Sequence, residues 1–400
     1  MTWQRKPFES LFSEPTRNGL TRPSGVRGEG YRMVNMGEIF GHDRIGDIEM
    51  ERVQLNDREL ATMLLRVGDL LFARQSLVLA GAGKCTLVEQ VNEPTTFESH
   101  IIRVRLDPKK ADPRFYHYLF QSPYSGVKAI VTQGVQAGIR ASDLAVLKVP
   151  VPDPEEQRRI AAILSSYDDL IENNRKRIKL LERAARLLYT EWFVRGRFPG
   201  HQGVKVKDGV PEGWEKTVFG KLVEQVKVSV KPEEVEADTP YIGLEHIPRR
   251  ALVLNEWGKA EQVTSNKFAF QEDDILFGKI RPYFHKVGFA ITNGITSSDA
   301  IVMRVSEPDL YALALSVVSS DRFIAVASKS AKEGSKMPRA DWKQMQAYPL
   351  LLPDTRTLSK FNEALHPMLS MMKVLAKQNI QLIRARDLLL PRLMSGKVKA

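Results

Sequence analysis

Cysteine is almost absent: Cys85 stands alone among 400 residues, so the chain closes no internal disulfide and its stability has to come from packing. Also missing is any run near the roughly 18 uninterrupted apolar residues that span a membrane. The opening Met1-Thr-Trp3-Gln-Arg-Lys has no apolar signal core, so a reducing, cytoplasmic setting is the expectation. The seven histidines show no ligand spacing with one another, and with a single thiol they argue against a structural zinc site. A phosphate loop is lacking too. Gly81-Ala82-Gly83-Lys84 has Val78 where the motif requires its first glycine, and Cys85 where it requires Ser or Thr. No Asn-Pro-Pro-aromatic or Asp-Pro-Pro-aromatic tetrapeptide marks a methyltransferase centre. The chain itself reads as non-catalytic.

What is present is apolar bulk and positive charge. At 43% hydrophobic residues the chain has the material for two or three packed domains and is not disordered. Its 59 Lys and Arg against 48 Asp and Glu give a net charge of +11, which favours a polyanionic partner through phosphate neutralisation and counterion release.

The chain also repeats itself. Pro152, Ile160, Leu164, Leu181 and Leu188 each lie 201 positions before Pro353, Phe361, Leu365, Leu382 and Leu389. Upstream, Gly68-Asp69-Leu70-Leu71-Phe72 recurs as Asp273-Asp274-Ile275-Leu276-Phe277, and Ile101-Ile102 recurs as Ile301-Val302. A period this long means duplicated domains, not a solenoid. The duplication also bears on Asp273-Asp274 and Lys279, which would suit a nuclease metal site. The first copy offers only the carboxylate of Asp69, so a turn or strand-edge role is the better reading.

Each copy mixes short alternating apolar runs with turn signals and then stops at prolines. The fold class is α+β. After Pro150-Val151-Pro152, Asp153 suits an N-cap with Pro154 at the first helical position, and Glu155 and Glu156 suit the positive end of the helix dipole. From Glu155 to about Val194 no proline or glycine occurs, and Ile160, Leu164, Tyr167, Ile171, Leu181 and Leu188 recur at threes and fours. A helix of that length would extend on the order of 60 Å. The second stripe runs through Phe361, Leu365, Met372, Leu382 and Leu389, and Pro367 should kink that helix or start it one turn late. Asn174 and Asn379 fall inside the stripes, where asparagine can fix register. The long stripes should pair antiparallel, with a domain near each end of the two-helix spacer. The alternatives are that each helix packs on its own domain or that the chain dimerises through the stripes.

Two related but unlike basic domains on a spacer suit duplex DNA, whose equivalent major-groove faces recur about every 34 Å. The expected target is asymmetric and bipartite. Base edges are read by bidentate Arg, Lys, Gln and Asn, and phosphates by cations. In the first domain the candidate readers are Arg74, Gln75 and Ser76, then Gln133, Gln136 and Arg140; in the second they are Lys279, Arg281 and Tyr283, then Lys332, Ser335, Lys336 and Arg339. Lys84 and Lys286, which follow the first loops, are candidates for phosphate contact.

Several long motifs carry a resemblance. Pro152-Asp-Pro-Glu-Glu-Gln-Arg-Arg-Ile-Ala-Ala-Ile-Leu164, Asp169-Leu-Ile-Glu-Asn-Asn174 and Leu187-Leu188-Tyr189-Thr-Glu-Trp192-Phe193 resemble the central conserved helix of type I restriction-modification specificity subunits. Leu388-Leu-Leu-Pro391-Arg-Leu393-Met-Ser-Gly396 resembles their C-terminal helix, and Pro211-Glu-Gly-Trp214 their second-domain opening. The first domain departs from the pattern, since no Pro-Glu-Gly-Trp opens it. The resemblance implies a target recognition domain at 1–151, a central helix at 152–198, a second target recognition domain at 199–352 and a C-terminal helix at 353–400. It implies a non-catalytic subunit that binds double-stranded DNA, two methyltransferase subunits and restriction/translocase subunits. No cofactor is expected for this chain; S-adenosylmethionine, ATP and Mg2+ would belong to the partners. A coiled-coil scaffold without sequence-specific DNA binding and a self-contained restriction enzyme are the competing readings.

Overall fold

The computed structural model describes residues 3–134, 136–329 and 337–398. The chain folds as two compact units, residues 1–170 with 382–400, and residues 171–381.

In the first unit a five-stranded sheet runs in the order Phe12–Asn18, Ile101–Leu106, Leu70–Ala73, Cys85–Val88, Arg44–Ile45. The first four strands pair antiparallel, and the last pair is parallel. The sheet of the second unit runs in the order Val223–Val226, Ala300–Val305, Ile275–Gly278, Val287–Ala290, Val253–Leu254, with the same three antiparallel pairs and one parallel pair. The repeat seen in scattered motifs is therefore a repeat of topology. Leu70–Ala73 and Ile275–Gly278 are central and buried on both faces, which is why they read as unbroken apolar runs.

The turn entering each central strand is made the same way. Gly68 and Asp273 occupy left-handed backbone at φ 91° and 72°. The next carboxylate then caps the turn and binds the neighbouring strand. Asp69 accepts from the backbone N–H of Arg66 at 2.8 Å and pairs with Arg105 at 2.7 Å; Asp274 accepts from the N–H of Gln271 at 2.7 Å and pairs with Arg304 at 2.7 Å.

The first domain needs no Pro-Glu-Gly-Trp to begin. Arg5–Pro7 pairs antiparallel with Lys148–Pro150, as Glu215–Val218 pairs with Pro349–Leu352 in the second unit. A fully buried phenylalanine follows each opening strand, Phe8 and Phe219, and its N–H donates across the unit to Leu147 or Tyr348, each at 2.9 Å.

The first long helix is Pro154–Tyr189, continued by a π turn at Thr190–Val194. Asp153 accepts from the Glu155 N–H at 2.9 Å, so the N-cap forms as its sequence requires. The motif glutamine, Gln157, is fully buried; it accepts from the Asp112 N–H at 2.8 Å and donates to the Pro152 carbonyl at 2.9 Å. The second long helix is Thr355–Met394, capped by Asp354, which accepts from the Thr357 N–H at 3.0 Å. Pro367 does not start this helix late. The helix starts well before it and runs through it, with Pro367 at an exposed position.

Each long helix contributes one stretch to each unit. In the first unit Ile160 and Leu164 share a core with Leu390, Leu393 and Met394, with Leu389 packed at its edge, and Arg386 donates to Asp168 at 2.5 Å; Tyr167 is half-buried. In the second unit residues 171–189 and 355–381 run antiparallel: Asn174 meets Asn379, Arg177 reaches Met371, and Trp192 packs on Phe361 with centroids 5.6 Å apart. Ile171, Phe361, Leu365 and Met372 are buried there, while Leu181, Leu188 and, in the first unit, Leu382 are half-buried. The motif aromatics explain themselves in this unit. Trp214 stacks against Phe193 and Phe198 at 5.5 and 4.8 Å, closing the domain opening onto the helix end. Among the described residues no single helix is long and apolar enough to cross a membrane.

Candidate nucleic-acid interface

In each unit the central strand delivers a loop, and the fold brings a second, distant loop beside it. The first loop starts at Arg74. Gln75–Ser76 pairs antiparallel with Ala137–Gly138, and Ala137–Gly138 pairs in turn with Thr132–Gln133. The Ile139 N–H donates to the Arg74 carbonyl at 2.9 Å, closing the pairing. Gly138 is required where it stands, since a Cβ there would lie 2.9 Å from the Arg74 carbonyl oxygen. In the second unit the equivalent stitch is one residue wide. Ile280 bridges Arg339, the Arg281 N–H donates to the Pro338 carbonyl at 2.8 Å, and the Ala340 N–H donates to the Lys279 carbonyl at 2.9 Å. Described candidate readers far apart in sequence thus lie on adjoining segments in each unit, Gln75 and Ser76 beside Gln133 in the first and Lys279 and Arg281 beside Arg339 in the second.

Their side chains divide into two groups. Gln133, Gln136, Arg140, Arg281, Tyr283 and Arg339 are exposed. Others are engaged with the protein. Ser76 is buried and accepts from the Val78 N–H at 3.2 Å. Arg74 and Gln75 are half-buried, and Arg74 donates to the Ser99 carbonyl at 3.3 Å. Lys279 donates to the Ser298 carbonyl at 2.7 Å; burial pulls its ammonium below the ordinary lysine range, and Asp299 partly restores it. Arg339 pairs with the same Asp299 at 3.2 Å. Lys332, Ser335 and Lys336 lie outside the described residues.

Lys84 and Lys286 hold equivalent places and do equivalent work inside the fold. Lys84 donates to the Phe40 carbonyl at 3.1 Å and pairs with Asp43 at 3.1 Å; Lys286 donates to the Leu244 carbonyl at 2.5 Å. Each ammonium ties the end of the reading loop to the short helix beside the sheet, a task that charge counting does not reveal.

Two features of the surface were not expected from sequence. Arg281 adopts left-handed backbone, φ 49°, which costs a non-glycine residue on the order of 1 kcal/mol and is held by its N–H bond to the Pro338 carbonyl. Arg249 lies over Phe284 at 4.0 Å, and Arg281 lies 5.9 Å from the same ring, so two guanidinium groups gather at Phe284. Among the described residues no group of three His, Cys, Asp or Glu is placed to hold a metal ion.

Comparison with known proteins bears on this arrangement. Residues 56–183, which include the first reading loop, the hairpin and most of the first long helix, match the family described as the type I restriction modification DNA specificity domain. The chain resembles the specificity subunits of type I restriction-modification systems. The MjaIX specificity subunit of Methanocaldococcus jannaschii is 24% identical over 304 residues, covering 71% of this chain and 69% of that relative. The EcoKI specificity subunit of Escherichia coli strain K12 is 31% identical over 173 residues, covering 41% of this chain and 36% of that relative. The crystal structure of a type I restriction-modification S subunit from M. genitalium covers 98% of this chain and 96% of its own, with a TM-score of 0.61 at 16% identity. That last likeness is one of fold, and it extends over both units and both long helices.

Proposed function

We propose that this chain is the DNA sequence-specificity subunit of a type I restriction-modification complex. Each unit reads one part of an asymmetric, bipartite duplex target, the parts differing because the two reading surfaces differ in sequence. The chain carries no catalysis of its own. It recruits two methyltransferase subunits and, with them, restriction/translocase subunits through the conserved faces of its long helices; S-adenosylmethionine, ATP and Mg2+ are used by those partners. The functional divisions are residues 1–151 and 199–352 as target recognition domains and 152–198 and 353–400 as conserved helices.

The observation that carries this reading is the equivalent stitching of two polar loops in each unit, Gln75–Ser76 to Ala137–Gly138 and Ile280 to Arg339. A scaffold for proteins alone has no use for two such surfaces at matching places with unmatched side chains. The net charge of +11 supports a phosphate-bearing partner. The test is to map methylated adenines genome-wide in cells that make this chain with its partner methyltransferase, and in cells that make the methyltransferase alone. A two-part motif present only with the chain is expected. Identical methylation in both cultures, with no binding of the assembled complex to any duplex, would return the scaffold reading.

A further inference from the structure

Beside the first reading loop stands an apolar feature that neither the core nor the polar readers explain. Leu77, Val78 and Leu79 are consecutive and 87%, 63% and 54% exposed. They are held out deliberately: the Val78 N–H donates to Ser76 Oγ at 3.2 Å, Leu79–Gly81 forms a 3-10 turn, and the Gly81 N–H donates back to the Val78 carbonyl at 3.0 Å. The turn is also too close to Ser76 for any residue but glycine at position 81, where a Cβ would meet Ser76 Oγ at 2.4 Å. Exposed apolar side chains scattered singly need no explanation, but three in a row on a braced tip do.

The second unit repeats the device with other residues. At the equivalent place, between Ile275–Gly278 and Val287–Ala290, Pro282–Phe284 forms a 3-10 turn and presents Tyr283, 55% exposed, next to Phe284, whose ring carries the guanidinium groups of Arg249 at 4.0 Å and Arg281 at 5.9 Å. Both tips are therefore small apolar points inside a polar or cationic rim. A protein partner fits this poorly, since a stable interface buries about 800 Å² on each side, far more than three side chains offer. A DNA groove fits it well: phosphates meet the rim, and the base edges at the groove floor include the thymine methyl, the apolar element of direct readout.

We infer that Leu77, Val78 and Leu79 form an apolar reading tip that packs against base edges, thymine methyl groups first, in the part of the target read by the first unit, and that Tyr283 is its counterpart in the second. This rests on the DNA-reading function proposed above and adds to it Leu77, Val78 and Leu79, which carry no charge and no hydrogen-bonding side chain, while giving Tyr283 an apolar role.

The experiment uses the full chain assembled with its methyltransferase partner and a randomised duplex library. The wild-type complex should select a two-part motif. A chain carrying Leu77→Ser, Val78→Ser and Leu79→Ser together should select a motif that has lost preference at one or two positions of one part only. Its affinity for the wild-type site should fall about tenfold, while its binding to unrelated duplex and its salt dependence stay unchanged. Replacing thymine by deoxyuridine at those positions should weaken the wild-type complex and leave the triple variant unaffected. Tyr283→Ser should act on the other part alone. The substituted residues are exposed, and an unchanged melting temperature verifies that the variants fold. A triple variant that selects the same motif with the same affinity overturns the inference and leaves the DNA-reading function standing. Loss of methyltransferase association with base preferences intact also overturns it, assigning the tip to a protein contact. A wild-type complex that selects no motif at all removes both.

Discussion

The Asn174 side-chain amide donates to the side-chain carbonyl of Asn379 at 3.0 Å in the interior of the helix pair, where both residues are buried. A second bond runs from Asn174 to Gln378 at 3.0 Å, and Asn379 donates to the Ile171 carbonyl at 3.4 Å. A polar pair at such a site costs stability relative to leucine but penalises every misaligned register, because a slip leaves two amides buried without partners. Asn174→Leu or Asn379→Leu alone should therefore destabilise the chain by about 1 to 3 kcal/mol. The double leucine variant should recover that loss or exceed wild type. Urea unfolding of the four chains measures the coupling; single variants as stable as wild type would deny the amide pair any register role.

A second prediction concerns the carboxylates at the mouth of each central strand. Asp69 is fully buried against Arg105, whose side chain is 11% exposed, so removing the acid leaves that guanidinium with the half-exposed Glu14, at 3.0 Å, as its remaining carboxylate partner. Asp69→Ala should cost about 3 kcal/mol, the scale for breaking one partner of a buried pair. Asp274→Ala should cost less, because Arg304 is 36% exposed and water can screen it. Thermal unfolding gives both values, and the reverse order would show that exposure of the arginine does not control the penalty.

What the sequence disclosed and what it hid follow a physical division. The long helices were legible because their apolar spacing and caps are local, down to Asp153 and Pro154. Asp69 and Asp274 were legible as a repeated pair, yet their partners Arg105 and Arg304 were not, since only strand order places those arginines alongside. The stitch between Gln75–Ser76 and Ala137–Gly138 is two residues long and joins segments far apart in sequence, so no periodicity announces it. Charge marked Lys84 and Lys286 as candidates, but the carbonyls they bind lie on another element. Leu77, Val78 and Leu79 escaped because apolar residues are read as core unless a structure shows them outside. Pro367 misled about where the helix begins, since the cost of proline depends on which face of the helix it occupies.

Acid should weaken the first unit through His117. The imidazole is buried, and that burial, partly offset by Asp43 and Asp168, holds its pKa down at about 4. The folded value lies below the unfolded one, so the native state binds fewer protons; stability is complete above about pH 6.5 and is lost as pH falls toward 4, by up to roughly 3 kcal/mol. His285 is shifted in the same direction, chiefly by burial, and adds to the slope. His117→Gln should flatten the dependence between pH 6.5 and 5 without abolishing it. Urea midpoints at pH 7.5, 6 and 5 decide the matter, and identical slopes in the two proteins would clear His117 of the effect.

The reading loops can be tested residue by residue, because base and phosphate contacts leave different signatures. A side chain that reads a base should cost about 1 to 3 kcal/mol at the cognate site and relax preference at one position. One that meets phosphate should weaken all duplexes alike and lower the salt slope by about one. Arg281→Ala and Arg140→Ala, both at exposed positions, are expected to behave in the first way within the assembled complex. Arg74→Ala is expected to cost part of its effect in folding, since its guanidinium donates to Ser99. Arg281 allows a further control. Because it holds φ 49°, Arg281→Gly removes the guanidinium and also relieves backbone strain, so it should melt at or above the wild-type temperature while binding as weakly as Arg281→Ala. Cognate affinity and base preference unchanged in Arg281→Ala, Arg281→Gly and Arg140→Ala would move the readers off these loops.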